Sequence, residues 1–402
     1  MQYHHGHAPV PYAPEPRPAV TMVGVLDESA AARPYRAFLF FRGARMTYDV
    51  FVRKSDSLAA ALVALGVRPG ERVAMLLPNS PQAMLGFQAI WKAGAVACPI
   101  DPLLSWVEIE QALIMSGACA AIALNTLYET VKKVQPAGLR FVIATGNQDF
   151  LPFPTRTAYM LVSKKKECGR IALKTGDYRL GDLLNRFSGY NRPQLFINPG
   201  DAAVLLFSRG APGGITGTHQ ALVATALKMR GWLGAALEEW EDRMALILPP
   251  SHILSSVAAV GTALVNHSSC VLVQVPCSPY DAIRGIKKYK ADFILATSAF
   301  YNAIMNYPPL ASGRVSLKNL NLCIAGAAPL TSDAKDRFER ATGGSLLDGY
   351  AMTAIMQADG WMNTNDARWL SEEGGLFTQG GKNDIISDGV SPGIQAGYIK
   401  GG

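Results

Sequence analysis

A glycine-rich run follows an apolar segment near the middle of the chain. The apolar segment is Ala203 to Phe207, and the run after it is Ser208-Arg209-Gly210-Ala211-Pro212-Gly213-Gly214-Ile215-Thr216-Gly217. Glycines at this spacing let backbone N–H groups turn inward around an anion such as a phosphate. Pro212 removes one of these donors. The run therefore predicts either a phosphate-binding loop that follows a strand or a plain glycine-rich turn.

Other residues with reactive side chains are scattered. His252 stands beside an apolar stretch, where a lone histidine is as often structural as ligand-binding. His4, His5 and His7 lie in a proline-rich leader, residues 1–20, which indicates a solvated terminus rather than a metal site. The sequence has no GxSxG, HExxH or Walker A motif, and no nucleophile–base pair indicates a hydrolase or transferase.

Composition limits the classes of function. The 402 residues are 49% hydrophobic and 17% charged, which argues against intrinsic disorder and coiled coil. The net charge of +7 is spread thinly, which favours an acidic small ligand over a nucleic acid. Six dispersed cysteines without a CxxC pair predict a reducing, cytoplasmic compartment.

One stretch, from Met244 to Tyr280, carries no Asp, Glu, Lys or Arg. Pro249, Pro250 and Pro276 interrupt it and leave an apolar helix of about fourteen residues, shorter than the roughly 20 residues that a membrane span needs. We therefore expect a buried core helix, and at most a peripheral contact with a membrane.

Apolar periodicity predicts the elements that must position the candidate residues. Apolar residues at helical spacing predict helices over 47–65 and 80–93, and the apolar run 72–77 predicts a strand. Such segments alternate over 21–145, which predicts a first α/β lobe. A polar, turn-rich connecting segment follows over 146–200, and a second α/β lobe over 201–356. Residues 357–402 are too short and polar to form a core of their own. The predicted fold class is α/β with two sheet lobes.

Several motifs in these lobes resemble those of one family, in the order in which that family has them. They are Thr47-Tyr48, Leu65-Gly66-Val67-Arg68-Pro69-Gly70-Glu71-Arg72-Val73, Leu77-Pro78-Asn79-Ser80-Pro81, Lys92-Ala93-Gly94-Ala95, Asp149-Phe150-Leu151-Pro152-Phe153-Pro154, Leu248-Pro249-Pro250-Ser251-His252, Ala325-Gly326-Ala327-Ala328-Pro329-Leu330 and Gly349-Tyr350-Ala351-Met352-Thr353. Over about residues 35 to 355, the chain resembles the adenylate-forming acyl-activating (AMP-dependent synthetase/ligase) family, especially its bacterial long-chain fatty acyl-CoA ligases.

The resemblance implies a fold, a reaction and its small-molecule partners. Nucleotide and acyl sites would lie in a crevice between the two lobes, closed by a small C-terminal domain. A carboxylic acid, here a fatty acid, would attack ATP to give an acyl-adenylate, and a thiol, usually that of coenzyme A, would then displace AMP. The oligomeric state stays open.

The resemblance also implies site residues. The nucleotide-binding residues would be Ser208, Gly210, Gly213 and Gly217 in the loop, Ala327, Ala328 and Pro329 beside the base, Gly349 with Tyr350 stacked on adenine, Thr353 at a phosphate and Asp366 at the ribose. His252 would lie at the acyl group.

Several charged elements of the family pattern are replaced. Thr216 stands where the family has a loop lysine, Ala354 where a glutamate helps to hold magnesium, and Gly380-Gly381 where the hinge has an Asp-Arg pair. We expect residues 357–402 to be a remnant of the hinge region, with the lid domain and its adenylation lysine missing or supplied by a partner. The expected function is a ligase with reduced or altered activity; the alternative is a non-catalytic acyl- or nucleotide-binding pseudoenzyme.

Overall fold

The computed structural model of the chain describes residues 20–162, 171–207, 214–233, 237–252, 255, 260–274, 278–326, 332–348, 368–370 and 376–378. Two seven-stranded sheets carry the fold of these residues, and a separate hairpin pairs two short strands. The strands are β1 (Ala37–Phe41), β2 (Ala44–Thr47), β3 (Arg72–Leu76), β4 (Val96–Pro99), β5 (Ala120–Leu124), β6 (Phe141–Thr145), β7 (Tyr178–Arg179), β8 (Ala202–Leu206), β9 (Ile215–Thr218), β10 (Arg243–Leu246), β11 (Ser269–Leu272), β12 (Phe293–Thr297), β13 (Leu322–Gly326), β14 (Ser345–Asp348), β15 (Arg368–Leu370) and β16 (Leu376–Thr378).

Each large sheet is parallel apart from one edge. The first sheet has the order β7-β6-β5-β3-β4-β8-β9, and only β8 and β9 pair antiparallel. The second sheet has the order β14-β13-β12-β10-β11-β1-β2, and only β1 and β2 pair antiparallel. The two sheets confirm the predicted α/β fold with two sheet lobes.

Helices connect the strands. They are α1 (Met22–Ala32), α2 (Tyr48–Ala64), α3 (Pro81–Lys92), α4 (Trp106–Ser116), α5 (Tyr128–Lys133), α6 (Thr155–Val162), α7 (Leu180–Arg186), α8 (His219–Leu233), α9 (Val260–Val265), α10 (Pro279–Tyr289), α11 (Ser298–Met305), α12 (Pro308–Ala311) and α13 (Ser332–Thr342).

The ends of α4 show how local sequence sets these bounds. Ser105 and Glu108 form a capping box that satisfies backbone N–H groups at the start of the helix. The helix ends at Gly117, whose φ of 54° lies in the left-handed region that glycine adopts at low cost.

Two pairs of strands do not lie in the sheet that their position in the sequence predicts. β1 and β2 belong to the predicted first lobe, but β1 pairs with β11 of the second sheet and β2 with β1. β8 and β9 belong to the predicted second lobe, but β8 pairs with β4 of the first sheet and β9 with β8. Sheet membership depends on pairing between distant segments, which periodicity along the chain does not report. The predicted lobe boundaries remain a proposal.

Helix α3 forms the centre of the main core. All of its residues are buried, and it packs against α1 and α2. Trp91 Nε1 donates to Ala203 O of β8 at 2.7 Å, so α3 also fixes the strand that precedes the glycine-rich run. Lys92 is the last residue of α3. Its ammonium donates to Asp56 Oδ1 at 2.6 Å, and this ion pair compensates for the burial of the lysine charge.

The uncharged stretch contributes a helix to the core. Its described helix, α9, is only six residues long and every residue in it is buried. Within the described residues, no helix is both long enough and apolar enough to cross a membrane.

Candidate nucleotide and acyl site

Each large sheet changes its winding direction at one strand. In the first sheet β4 and β5 flank β3, and in the second sheet β11 and β12 flank β10. In open parallel sheets, ligands bind in the crevice outside the carboxyl end of such a switch strand. The residues that follow β3 and β10 are therefore the first candidates for a binding site.

Asn79 joins these two switch points directly. It lies three residues beyond β3, and the residue is 4% exposed. Its Nδ2 donates to Leu246 O at 3.1 Å, to Leu248 O at 2.8 Å and to Val273 O at 3.2 Å. These carbonyls lie at the carboxyl ends of β10 and β11. One buried amide therefore holds the carboxyl edges of the two sheets together.

Sequence reasoning did not assign this role to Asn79. In the sequence, the segment 77–81 is recognisable only as a family motif. The available signal was a polar residue placed between an apolar strand and Ser80, the residue that caps α3. A buried amide at such a turn needs several partners, and the partners here come from the other sheet.

His252 lies just beyond β10, at the second switch point. Its backbone N–H donates to Pro249 O at 2.9 Å, and its own carbonyl accepts from Ser255 N at 2.9 Å. Ser255 Oγ donates to Leu248 O at 2.8 Å, which ties this turn to the carbonyl that Asn79 also contacts. Burial lowers the pKa of His252, so its imidazole is neutral at pH 7 and presents one donor and one acceptor. Its role at the acyl group stays a prediction.

The glycine-rich run ends in β9, which pairs antiparallel with β8. The register pairs Leu206 with Ile215 and Val204 with Gly217. Gly217, predicted to lie in the loop, is thus a strand residue, because pairing with β8 resumes at Ile215. Ser208, Gly210 and Gly213 lie outside the described residues.

Gly214 begins the return from this loop. Its φ is 72°, and a Cβ there would lie 2.9 Å from Leu205 Cδ1 and 3.1 Å from Leu206 O. The position requires glycine for both backbone conformation and space. The described end of the run is therefore a tightly packed turn.

The predicted base-binding segments begin at neighbouring strand ends. β13 and β14 are parallel, with Ala325 paired to Asp348, so their carboxyl ends lie at one edge of the second sheet. Ala327, Ala328 and Pro329 come directly after β13, and Gly349 and Tyr350 directly after β14. These five residues, and also Thr353, Ala354 and Asp366, lie outside the described residues. β10, with His252 beyond it, ends at the same edge, two strands from β13.

Comparison with known proteins identifies the family. Residues 26–368 match the AMP-binding enzyme family. The chain belongs to that family. The match spans both sheets and includes the two switch points described above.

Relatives in this family are acyl-CoA ligases by name. The long-chain-fatty-acid–CoA ligase of Bacillus subtilis (strain 168) is 24% identical, over 95% of this chain and 71% of the relative. That of Escherichia coli O6:H1 is 25% identical, over 86% of this chain and 62% of the relative. The chain thus spans about two thirds of the length of these relatives.

Solved structures share the fold. An anthranilate CoA ligase in complex with anthranoyl-AMP superposes with a TM-score of 0.68 at 20% identity, over 83% of this chain and 60% of that chain. A long-chain-fatty-acid-CoA ligase from Archaeoglobus fulgidus gives a TM-score of 0.67 at 20% identity, over 83% and 63%. The family's α/β architecture is therefore present in this chain.

A serine–histidine–glutamate contact occurs at the opposite edge of the second sheet. Ser29 Oγ lies 2.6 Å from His267 Nδ1, and His267 Nε2 lies 3.6 Å from Glu239 Oε1. Ser29 is fully buried and its hydroxyl donates to Val25 O at 3.0 Å, so no substrate carbonyl can approach it. The contact fastens α1 to the second sheet and is not a nucleophile–base pair.

The described cysteines are not nucleophiles either. Cys98, Cys119, Cys270 and Cys323 are unpaired and buried. Burial raises the pKa of Cys98 to about 12 and that of Cys119 to about 11, so both thiols stay protonated at pH 7. Covalent catalysis by these thiols is therefore not supported.

Proposed function

We propose that this chain is an acyl-CoA synthetase-like protein that binds an adenine nucleotide and a fatty acid in the crevice at the carboxyl edges of the two sheets. The observation that carries the proposal is the contact of Asn79 with the ends of β10 and β11, which brings both switch points together. The relatives named as long-chain-fatty-acid–CoA ligases support a fatty acid as the carboxylic acid.

The proposed reaction has two steps. An oxygen of the fatty acid carboxylate forms a bond to the α-phosphorus of ATP, the bond to the β-phosphate oxygen breaks, and pyrophosphate leaves. The sulfur of a thiol, coenzyme A in our proposal, then bonds to the acyl carbonyl carbon, and the bond from that carbon to the phosphate oxygen of AMP breaks. The thiol proton passes to solvent, and AMP leaves.

The chain's own groups would bind and orient these substrates. Backbone N–H groups of the loop with Ser208, Gly210 and Gly213 would face phosphate oxygens. Tyr350 would stack on adenine next to Gly349 and the backbone of Ala327–Pro329, Thr353 would contact a phosphate, and Asp366 would bind ribose hydroxyls. The neutral imidazole of His252 would donate one hydrogen bond at the acyl carboxyl.

The residue at the magnesium position of the family pattern offers the ion no ligand. Ala354 has no side-chain oxygen at the position that holds the metal by resemblance. Across the described parts of the chain, no group of three His, Cys, Asp or Glu residues could hold a metal ion. We therefore derive no step through magnesium.

Reduced activity follows from the missing charges. A positioned charge typically supplies about 2–4 kcal/mol of transition-state stabilisation, and Thr216 and Ala354 replace two such groups. Their joint loss would slow adenylation by several orders of magnitude, although such effects are rarely additive. The second candidate function, a non-catalytic binder of acyl chains or nucleotides, rests on this observation.

One experiment separates ligase from binder. The 402-residue protein is incubated with ATP, magnesium, coenzyme A and a panel of fatty acids, and pyrophosphate and AMP are followed. Slow, fatty-acid-dependent release of both supports a ligase. Calorimetric binding of AMP without release supports the binder, and absence of both contradicts the proposal.

Two matched variants test the nucleotide site. Tyr350→Ala should weaken AMP binding at least tenfold, because it removes the stacking surface. Tyr190→Ala is the control, since Tyr190 is 60% exposed and lies outside the proposed site. Equal AMP affinity in the two variants would exclude Tyr350 from the site.

Chain length tests the acyl site. Each buried methylene contributes about 0.8 kcal/mol, so palmitate should displace a bound fluorescent fatty acid far better than butyrate does. His252→Ala should weaken the binding of all chain lengths by a similar factor, because the histidine is proposed to contact the carboxyl. Equal displacement by both acids would contradict a fatty acid site.

A further inference from the structure

Helix α6 is an unusually exposed element of the described fold. Phe153, two residues before the helix, is 84% exposed, Leu161 in its last turn is 81% exposed and Met160 is 49% exposed. Of the residues in α6, Tyr159 is partly buried and packs against the main core, which fixes the helix to the surface. Two large apolar side chains on an anchored helix, and one just before it, therefore face solvent.

Basic side chains from three other elements surround this helix. The Arg42 guanidinium, from the turn between β1 and β2, lies 5.8 Å from the Tyr159 ring centroid. A side-chain carbon at Gly43 would lie 3.7 Å from Lys288 Nζ of α10 and 3.6 Å from Thr155 Oγ1 of α6. The groups that surround Gly43 thus include both the first residue of α6 and the end of the Lys288 side chain.

Two more basic residues complete what we call the α6 patch. Arg156 is exposed within α6, and Lys54 Nζ of α2 lies 6.0 Å from the Phe150 ring just before Phe153. The patch is defined by Phe153, Met160 and Leu161 with Arg42, Lys54, Arg156 and Lys288.

Within the described residues, none of the four cations of the patch is ion-paired, and the nearby carboxylates are already engaged. Asp49 pairs with Arg53 and Asp56 with Lys92, both on α2. Asp149 accepts from Thr145 Oγ1 and from Gly146 N. The positive charge of the patch is therefore available to a partner.

We propose that the α6 patch docks on the surface of an anionic lipid bilayer. The apolar side chains would enter the acyl-chain boundary, and the four basic side chains would meet lipid phosphates. A second copy of the chain suits the patch less well, because a symmetric contact would bring two positive patches face to face.

Vesicle flotation tests the proposal with the full 402-residue chain and without nucleotide or fatty acid, so its outcome is independent of the proposed function. Vesicles of phosphatidylcholine alone are compared with vesicles that also contain phosphatidylglycerol. We expect binding to the anionic vesicles, with about a fivefold contribution from each basic residue, and a decline as salt screens the charges.

Two variants and two matched controls locate the binding surface. Phe153→Ser with Leu161→Ser should weaken partitioning by roughly tenfold per side chain, whereas Phe196→Ser should not, although Phe196 is 88% exposed. Arg156→Glu should weaken binding to anionic vesicles, whereas Arg340→Glu on α13 should not. All five substituted positions are exposed, so folding should persist, which urea unfolding checks.

Three results would overturn the proposal. In the first, the protein does not bind anionic vesicles. In the second, it binds them equally well in both patch variants. In the third, no vesicle binds, but the free protein self-associates and the patch variants abolish this self-association. The third result would instead assign the patch to contacts between copies of the chain.

Discussion

Replacing Asn79 by alanine should destabilise the protein and weaken AMP binding together. The amide donates to three carbonyls but has only two hydrogens, so two full hydrogen bonds are lost. Leu246 O keeps a bond from Val273 N at 3.0 Å, and Leu248 O keeps one from Ser255 Oγ at 2.8 Å. Val273 O has no other donor among the described residues.

The magnitude follows from these partners. A carbonyl left buried without a donor costs about 1–3 kcal/mol, and a lost hydrogen bond whose acceptor keeps another donor costs about 1 kcal/mol. The expected loss is therefore about 2–4 kcal/mol. It would be measured as the free energy of unfolding in urea, with the slope of the denaturant dependence checked for two-state behaviour. AMP affinity should fall as well, because the contact sets the crevice.

Asn302→Ala is the matched control, because Asn302 is exposed on α11 and a surface change there should stay within about 0.5 kcal/mol. If Asn79→Ala costs no more than this control, the amide does not hold the sheets together. If it is destabilising but leaves AMP affinity unchanged, the nucleotide does not bind in this crevice.

The pH dependence of the stability of Asn79→Asp provides a second test of this contact. A carboxyl that faces three carbonyls is destabilised when ionised, so its folded pKa should rise above the unfolded value of about 3.9. The variant's stability should then be highest below about pH 4 and should fall as pH rises through the folded pKa. Stability that does not depend on pH relative to the wild type would show that position 79 is hydrated.

Three further predictions concern the same fold. Burial raises the pKa of Asp292 from 3.8 to about 7, so the free energy of unfolding should fall as pH rises from about 4 to about 7. Asp292→Asn keeps an acceptor for Arg243 N and should remove up to about 4 kcal/mol of this fall, measured by urea unfolding at a series of pH values. Asp177→Ala should cost about 3–5 kcal/mol in the same assay, because it leaves Lys132 Nζ, now 2.9 Å from the carboxylate, buried without its partner. Gly214→Ala should cost about 1–3 kcal/mol, because the positive φ and the 2.9 Å approach to a neighbouring side chain both strain the turn, and calorimetry should show weaker AMP binding if the loop holds phosphate.

Local patterns predicted most elements of the first sheet closely. Apolar periodicity over 47–65 and over 80–93 corresponds to α2 and α3, whose ends are set by Thr47 and Ser80 as caps. The strand predicted over 72–77 is β3 at Arg72–Leu76. These elements are bounded by capping and turn residues next to them in sequence, so neighbouring residues suffice to locate them.

Contacts between distant segments could not be predicted in this way. β8 follows the connecting segment in sequence, yet it lies beside β4 because Trp91 of α3 reaches its carbonyl and the strand completes the apolar edge of the first sheet. Asn79 likewise has its partners more than 160 residues away. The residues next to Trp91 and Asn79 in the sequence show no periodic pattern that would indicate these distant partners.

Thr216 shows what the sequence pattern and the structure together imply for the reaction. The family pattern has a lysine there, and the structure gives the position an exposed side chain on β9, paired with Leu205 directly beside the loop. A threonine hydroxyl at this place can donate one hydrogen bond but carries no charge to offset phosphate charge in a transition state. The backbone that would surround a phosphate can thus be retained while the electrostatic part of catalysis is lost. Binding and catalysis are therefore expected to separate in this protein, and AMP affinity and pyrophosphate release must be measured independently.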